Sequence, residues 1–427
     1  MRFIHAADLH IDSPLRGLNR FEGAPVARLR SATRQALTRL VDLALDEEVD
    51  FVLIAGDLYD RDWQDFHTGL FVREQMVRLG RAGVKVFIVQ GNHDAQGVIS
   101  RQLPWPDNVK VFSSRSAETV KLDELRVAIH GHSFPEREVP EDLVPGYPMA
   151  VPGYVNIGLL HTSLTGAEGH DTYAPTSLDT LRSKGYDYWA LGHVHAHQVV
   201  CDAPRVVYPG NLQGRHARET GPKGCELVSV AGGKLDATFV PLDVVRWHQV
   251  DVVLNPSHSL DALPRVVGEA LQAAVAAAGG ERLHAMRVRL TGETPLHTHE
   301  ARQPGTLAAA VQAAAQDLAD ADVWIEKVQL ALRSPVDRAQ LAQRTDALGE
   351  LVRWVDDLAA EPQALASFGQ PVLAEVLDKL PAELRQTLTR EAADDVPQWD
   401  DAGAMLALLK DAEATLLAHL NVGEEQP

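Results

Sequence analysis

Five short clusters hold the residues of this sequence that could do chemistry: Asp8-Leu9-His10, Gly56-Asp57-Leu58-Tyr59-Asp60, Gly91-Asn92-His93-Asp94, His161, and Gly192-His193-Val194-His195. Oxygen and imidazole donors without thiolates suit Mn²⁺, Fe²⁺ or Zn²⁺. Two such ions about 3.5–4 Å apart clamp the attacking and leaving oxygens of an in-line phosphoryl displacement. One carboxylate must bridge them, and Asp57 is the natural choice. With only Asp8 and Asp57 ionised among the expected ligands, the pair keeps a charge of about +2, which attracts a phosphodiester and lowers the pKa of bound water. Each cluster alone is weak: an Asp-x-His pair arises by chance, Gly-Asp-x-x-Asp reads equally as a capped turn, and a lone His161 reads as a core histidine. Turn chemistry explains Gly91-Asn92 but not the His93-Asp94 that follows.

What joins the clusters is their position relative to apolar runs. Strand-like segments are predicted at Arg2–Ala7, Phe51–Ala55, Val84–Gln90, Arg126–His130, Val155–Leu160 and Tyr186–Leu191, with helical spacing over Pro25–Glu48 and Phe66–Ala82. Each cluster follows the carboxyl end of one such strand, where open α/β sheets gather their ligands. Five clusters in register make coincidence a poor explanation. Val199–Val207, Glu226–Val230 and Leu235–Val240 predict a more antiparallel group of strands. The expected fold is therefore α/β, an α+β sandwich of two sheets with helices outside.

Near Asp243–Arg246 the pattern resets. Val250–Leu254, a helix over Leu260–Ala278, Leu283–Leu290, a helix over Thr306–Leu318 and Val323–Leu332 read as a small β-α-β-α-β unit. Helices are then expected over Leu341–Leu358, Pro371–Leu380 and Asp401–Leu420. The expected domains are 1–244 around the clusters, 245–333 as the α+β unit, and 334–427 as a helical region. In the last helix Met405, Leu409, Ala412, Leu416 and Leu420 form an apolar stripe, suited to self-packing or to a partner.

Composition narrows the classes. No apolar run is long enough to cross a bilayer, and no basic-then-apolar leader precedes Asp8, so neither a membrane nor a signal peptide is expected. Cys201 and Cys225, the two cysteines, make no disulfide framework, and a cytoplasmic location is expected. The net charge is −19, which argues against binding nucleic acid by bulk attraction. From Ala331 onward, however, 8 Lys/Arg face 18 Asp/Glu, so the first 330 residues carry only −9.

In this order, over about the first 215 residues, the five motifs resemble the calcineurin-like metallophosphoesterase family. The opening Phe3-Ile4-His5-Ala6-Ala7-Asp8-Leu9-His10-Ile11-Asp12-Ser13-Pro14, the run Asp57–Trp63 and the run Tyr208–His216 resemble its SbcD/YhaO branch of bacterial DNA-repair exonucleases. The resemblance implies one metal on Asp8, His10, Asp57 and His195, and a second on Asp57, Asn92, His161 and His193. It implies Mn²⁺ first, with Mg²⁺, Fe²⁺ or Zn²⁺ as alternatives. It casts His93 as the histidine that protonates the leaving 3′-oxygen and Asp94 as the carboxylate that orients it. Asp60 stands where archaeal members of the branch carry a second histidine. The implied activity is 3′→5′ exonuclease with single-strand endonuclease action in double-strand-break repair. The implied partners are DNA and an SbcC-like coiled-coil ATPase on the C-terminal helices, with a homodimer as a further option, and 245–333 is implied to be a capping domain.

A polymer substrate needs phosphate contacts beside the metals. Candidates are Arg16 and Arg20, Arg61, and Arg215, Arg218 and Lys223, with Tyr59, Trp63 and Phe66 as stacking or packing aromatics. His5, His130, His132, His197 and His248 read as structural. The rival readings are a small-molecule phosphodiesterase or phosphatase on the same core, and a non-catalytic scaffold for DNA or a partner.

Overall fold

Apolar alternation in the first half of the chain builds two sheets that face each other. The computed structural model describes residues 1–13, 25–60, 66–95, 103–164, 173–318, 320–381 and 402–420, which divide into two compact units. The first unit comprises Met1–Val250, Gln272–Arg287 and Leu318–Lys327. In it β1 (Arg2–Ala6), β2 (Phe51–Ala55), β3 (Lys85–Val89) and β4 (Val109–Val111) run parallel in that order. The second sheet contains β5 (Glu118–Leu122), β6 (Val127–Gly131), β7 (Val155–His161), β8 (Tyr188–Gly192), β9 (Gln198–Asp202) and β10 (Arg205–Tyr208) in the order β5-β6-β7-β8-β10-β9. There β6, β7, β8 and β10 are parallel, with antiparallel strands at both edges. β11 (Gly224–Ala231) pairs antiparallel with β1, and β12 (Lys234–Pro241) pairs antiparallel with β11 to complete the first sheet.

One apolar layer joins the sheets: Phe3, Phe51, Leu53, Phe87, Val127, Ile129, Ile157, Leu159, Tyr188 and Val228 pack as one buried cluster. Phe3 stacks on Phe51 at 5.0 Å and takes Tyr188 edge-on at 5.3 Å. The opposite face of the first sheet is covered by α1 (Val26–Asp46) and α2 (Phe66–Arg81) through Leu37, Leu40, Val41, Val72, Met76 and Leu79. His5 lies buried in the core, its ring nitrogens bonded to the Tyr188 hydroxyl at 3.0 Å and the Leu191 carbonyl at 3.1 Å, and burial pushes its imidazole down to about 3. His130 is tied to Thr119 and Asn156. Two buried, partnered imidazoles are thus structural.

Several elements differ from the sequence-based expectation. β4 and β5 are too short and polar to show an apolar pattern. The stretch expected as one strand over Val199–Val207 is two, with a turn at Ala203-Pro204 between them. β13 (Val245–Leu254), β14 (Leu283–Glu293) and β15 (Asp322–Arg333) pair in that order, longer than their apolar cores alone suggest.

The second unit comprises Asp251–Leu271, Val288–Asp317 and Val328–Pro427. Its helix Leu296–Arg302 gave no sequence signal. The single helix expected over Leu341–Leu358 is broken in two, because Asp346 caps a fresh start by accepting from the Gly349 amide at 3.2 Å. The helix expected from Pro371 begins at Pro362 and carries Pro371 inside it. In the final helix, Ala402–His419, the inward residues are Met405, Glu413, Leu417 and Ala418, whereas Leu416 and Leu420 are exposed. The stripe is therefore divided between buried and exposed sides, and Glu413 turns inward to pair with Arg338 at 3.0 Å.

Removing the Phe51 ring deletes the centre of the inter-sheet layer. Phe51→Ala is expected to cost about 3–5 kcal/mol of unfolding free energy, read as a lower urea midpoint with unchanged slope.

Candidate metal centre

Strand direction alone brings the five clusters together. β1, β2 and β3 are parallel, as are β7 and β8, so the loops after them open at one end of the sandwich. The first two loops are zipped by backbone bonds, Asp8 N to Gly56 O at 3.1 Å and His10 N to Asp57 O at 2.9 Å. The backbone is bent to aim the donors. Asp8, His10, Asp57 and His193 have φ of 51°, 42°, 53° and 106°, a region that costs non-glycine residues about 1–3 kcal/mol each and collects at functional sites. At Gly91 a Cβ would lie 2.4 Å from Asp57 Oδ1, so no larger residue fits behind that carboxylate.

The donor atoms form three overlapping groups, two around Asp8 and a third of His10, Asp60 and His93. Ligand atoms of Asp8, His10 and His195 lie within 4.8 Å of one another, and so do those of Asp8, Asp57 and His161. Asp57 Oδ2 stands between the two groups around Asp8, 3.8 Å from His10 Nε2 and 3.6 Å from His161 Nε2. Asn92 Oδ1 is 3.0 Å from His161 Nε2. His193 donates its backbone amide to Asp8 at 3.0 Å and sets its ring edge-on to His161 at 5.3 Å.

The second nitrogens of the histidines decide the tautomers. His161 Nδ1 donates to the Ala55 carbonyl at 2.9 Å, and His195 Nδ1 to Glu219 Oε1 at 2.8 Å, so each turns a bare Nε2 toward the site. His10 Nε2 then faces His195 Nε2 at 3.3 Å, an arrangement a bridging cation would satisfy. Burial, and then the charge of Asp57, push the Asp8 carboxyl well above its ordinary range. A pair of divalent ions would fit this donor set: Asp8, His10, Asp57 and His195 would hold one, and Asp57, Asn92 and His161, with His193 beside His161, would hold the other. Such ions would supply Lewis acidity toward a phosphoryl group.

Beside the cage, His93 sits with its ring 4.8 Å from that of His10. Its Nδ1 donates to Asp60 Oδ1 at 2.6 Å, and its backbone amide donates to Asp57 Oδ1 at 2.9 Å. Burial alone would raise Asp60, but hydrogen bonds from His93 and Ser13 hold its carboxyl down at about 2. The carboxylate expected to orient His93 was Asp94, and here the structure corrects the sequence reading. Asp94 instead accepts the amides of Leu58 at 3.1 Å and Tyr59 at 3.0 Å. It braces the loop that carries Asp57. Asp60, three residues past the bridging carboxylate, takes the orienting place.

The expected phosphate contacts fare differently. Arg16 and Arg61, with Arg20 and Trp63, lie outside the described residues. Arg218 is exposed. Lys223 is only 5% exposed and donates Nζ to the His195 carbonyl at 2.7 Å, so it braces the loop and does not face solvent. Arg215 is likewise engaged inside the protein, with Glu219 at 3.0 Å. Tyr59 is buried and Phe66 exposed. Sequence reasoning missed Glu219. Its only signal was a carboxylate within a basic, glycine-bounded loop.

A family model described as calcineurin-like phosphoesterase matches residues 1–197, and one described as the middle domain of metallophosphoesterase YhaO matches residues 247–333. With the two-sheet core and its convergent donors, the first match makes residues 1–197 a calcineurin-like phosphoesterase region. The chain is 39% identical over 271 residues to the uncharacterized metallophosphoesterase YhaO of Bacillus subtilis (strain 168), a match covering 62% of this chain and 66% of that protein. The matched part thus spans just under two thirds of the relative's length. Solved structures with lower likeness include a dimetal phosphatase from Danio rerio (TM-score 0.35, 12% identity, 57% of this chain and 96% of that chain). Another is GAP50, the anchor in the inner membrane complex of Plasmodium (TM-score 0.35, 12% identity, 57% and 84%).

Because Asp57 lies between the two groups around Asp8 and His93 belongs only to the third, two variants should separate their roles. His93→Ala is expected to keep the wild-type metal content and lose roughly 10²–10⁴-fold in turnover; near-wild-type rates would remove His93 from the chemistry. Asp57→Ala is expected to lose bound metal itself, and elemental analysis showing full metal content would contradict the bridging role.

Proposed function

We propose that this chain is a metal-dependent DNA nuclease, most simply a 3′→5′ exonuclease with single-strand endonuclease activity in double-strand-break repair. The reading rests foremost on one observation: a donor cage of Asp8, His10, Asp57, His161 and His195 with an independently held histidine, His93, at its rim. Cage and rim histidine together make a site for phosphodiester hydrolysis. His93 engages Nδ1–H with Asp60, and its Nε2 is the atom that would exchange a proton with the leaving oxygen. The Asp60 carboxylate stabilises the protonated ring when that proton is held. Asp94 and Gly91 keep the Asp57 carboxylate from shifting as charge builds.

Two features support a polymer substrate: the resemblance of the motifs to the SbcD/YhaO branch, and the residues beyond the core, which a small ester would not need. Docking of a coiled-coil ATPase on the C-terminal helices belongs to the same proposal; the helix Pro362–Lys379 exposes Phe368, Val372 and Val376. A small-molecule phosphodiesterase is the second reading. It is favoured by the engagement of Arg215 and Lys223 inside the protein, which leaves fewer cations for a phosphate backbone. No helix among the described residues is long and apolar enough to cross a membrane.

The two readings separate on substrate. End-labelled linear duplex and bis-p-nitrophenyl phosphate are offered to the protein with Mn²⁺. Shortening of the duplex from its 3′ ends is the expected result, lost on chelation. Turnover of the small ester with intact DNA, at any salt concentration, would reject the nuclease reading and leave the small-molecule one.

A further inference from the structure

The two histidines that matter most on the open side of the cage are each held by a carboxylate. Glu219 holds His195 at 2.8 Å and Asp60 holds His93 at 2.6 Å. One guanidinium reaches both carboxylates. Arg215 Nη2 donates to Glu219 Oε1 at 3.0 Å, and its backbone amide donates to Glu219 Oε2 at 2.7 Å. Its Nη1 lies 3.8 Å from Asp60 Oδ2 and donates at 3.4 Å to Ser13 Oγ, which itself donates to Asp60 Oδ2 at 2.6 Å. Nη2 also lies 3.4 Å from His195 Nδ1. Asn211 Nδ2 donates to Glu219 Oε2 at 3.0 Å, so the Glu219 carboxylate is held from several directions.

We propose that Arg215 is a positioning residue whose guanidinium bridges Glu219 and Asp60 and thereby fixes the metal-facing His195 and the acid–base His93 together. The inference rests on the metal-centre reading above, and it replaces the expected role of Arg215 as a phosphate contact. A guanidinium offers its donors in a planar fork, and here that fork is divided between two carboxylates of the same site. The Arg215 side chain is only 15% exposed and Glu219 7%. A strand of DNA would therefore have to compete with two internal carboxylates for this arginine. A lysine could not span both carboxylates, because its ammonium is a single point charge.

The test is Mn²⁺ binding measured by calorimetry without substrate, together with kcat and KM on bis-p-nitrophenyl phosphate, for wild type, Arg215→Ala, Arg215→Lys and Glu219→Gln. Partners that orient metal-ligating histidines are worth about 10- to 100-fold in affinity or activity. Arg215→Ala is therefore expected to weaken Mn²⁺ binding by about that factor and to lower kcat with little change in KM, with Lys restoring little. Unchanged Mn²⁺ affinity with a raised KM that Lys largely corrects would make Arg215 a phosphate contact and overturn the proposal. Should Arg215→Ala fail to fold, Glu219→Gln decides: it leaves His195 an acceptor but removes the charge that Arg215 holds. Weakened Mn²⁺ binding in that variant supports the bridge, and wild-type affinity and kcat overturn it. None of these readouts needs DNA, so a wild-type protein that binds Mn²⁺ but spares DNA would fail the nuclease reading and leave this inference standing.

Discussion

Two carboxylates, Asp8 and Asp57, follow adjacent parallel strands to the same buried place, where Arg215 lies near enough for its charge to act on Asp8. Like charges in such a setting oppose folding unless a cation joins them. That constraint organises the surroundings. It accounts for strained backbone at Asp8, His10, Asp57 and His193, for the bare Nε2 atoms of His161 and His195, and for Asp94 clamping the Asp57 loop through backbone amides. The sheets position the donors, and the donors make sense only around metal.

Much of this was legible in the sequence because parallel strands place their carboxyl ends together. Motif position relative to apolar runs therefore carried three-dimensional information. The runs ending before Asp8, Asp57, Asn92, His161 and His193 became β1, β2, β3, β7 and β8 within a residue or two. What remained illegible depends on side chains meeting across loops. Asp94 is adjacent in sequence to His93 and looked like its orienter, yet adjacency places the two on different sides of the loop. Asp60 reaches the ring from the loop after β2. Glu219 was silent for the same reason, since its partner lies 24 positions away.

The basic residues show a related limit. A lysine or arginine near an expected site reads as a phosphate contact because sequence does not show what else lies within reach. Lys223 and Arg215 have internal partners that burial makes strong: a backbone carbonyl for one and a carboxylate for the other. In the last helix the apolar stripe, open in the sequence to self-packing or to a partner, is divided: Met405 is buried while Leu416 and Leu420 are exposed. Glu413, buried and paired with the partly exposed Arg338, faces inward there and is absent from any hydrophobic count.

If Asp57 is shared by two metal ions, anomalous diffraction from crystals of the protein soaked in Mn²⁺ should reveal both. Two Mn²⁺ peaks are expected at the Asp57 carboxylate, one beside His10 and His195 and the other beside Asn92 and His161. A single ion away from Asp57, or no ion among these residues, would contradict that sharing.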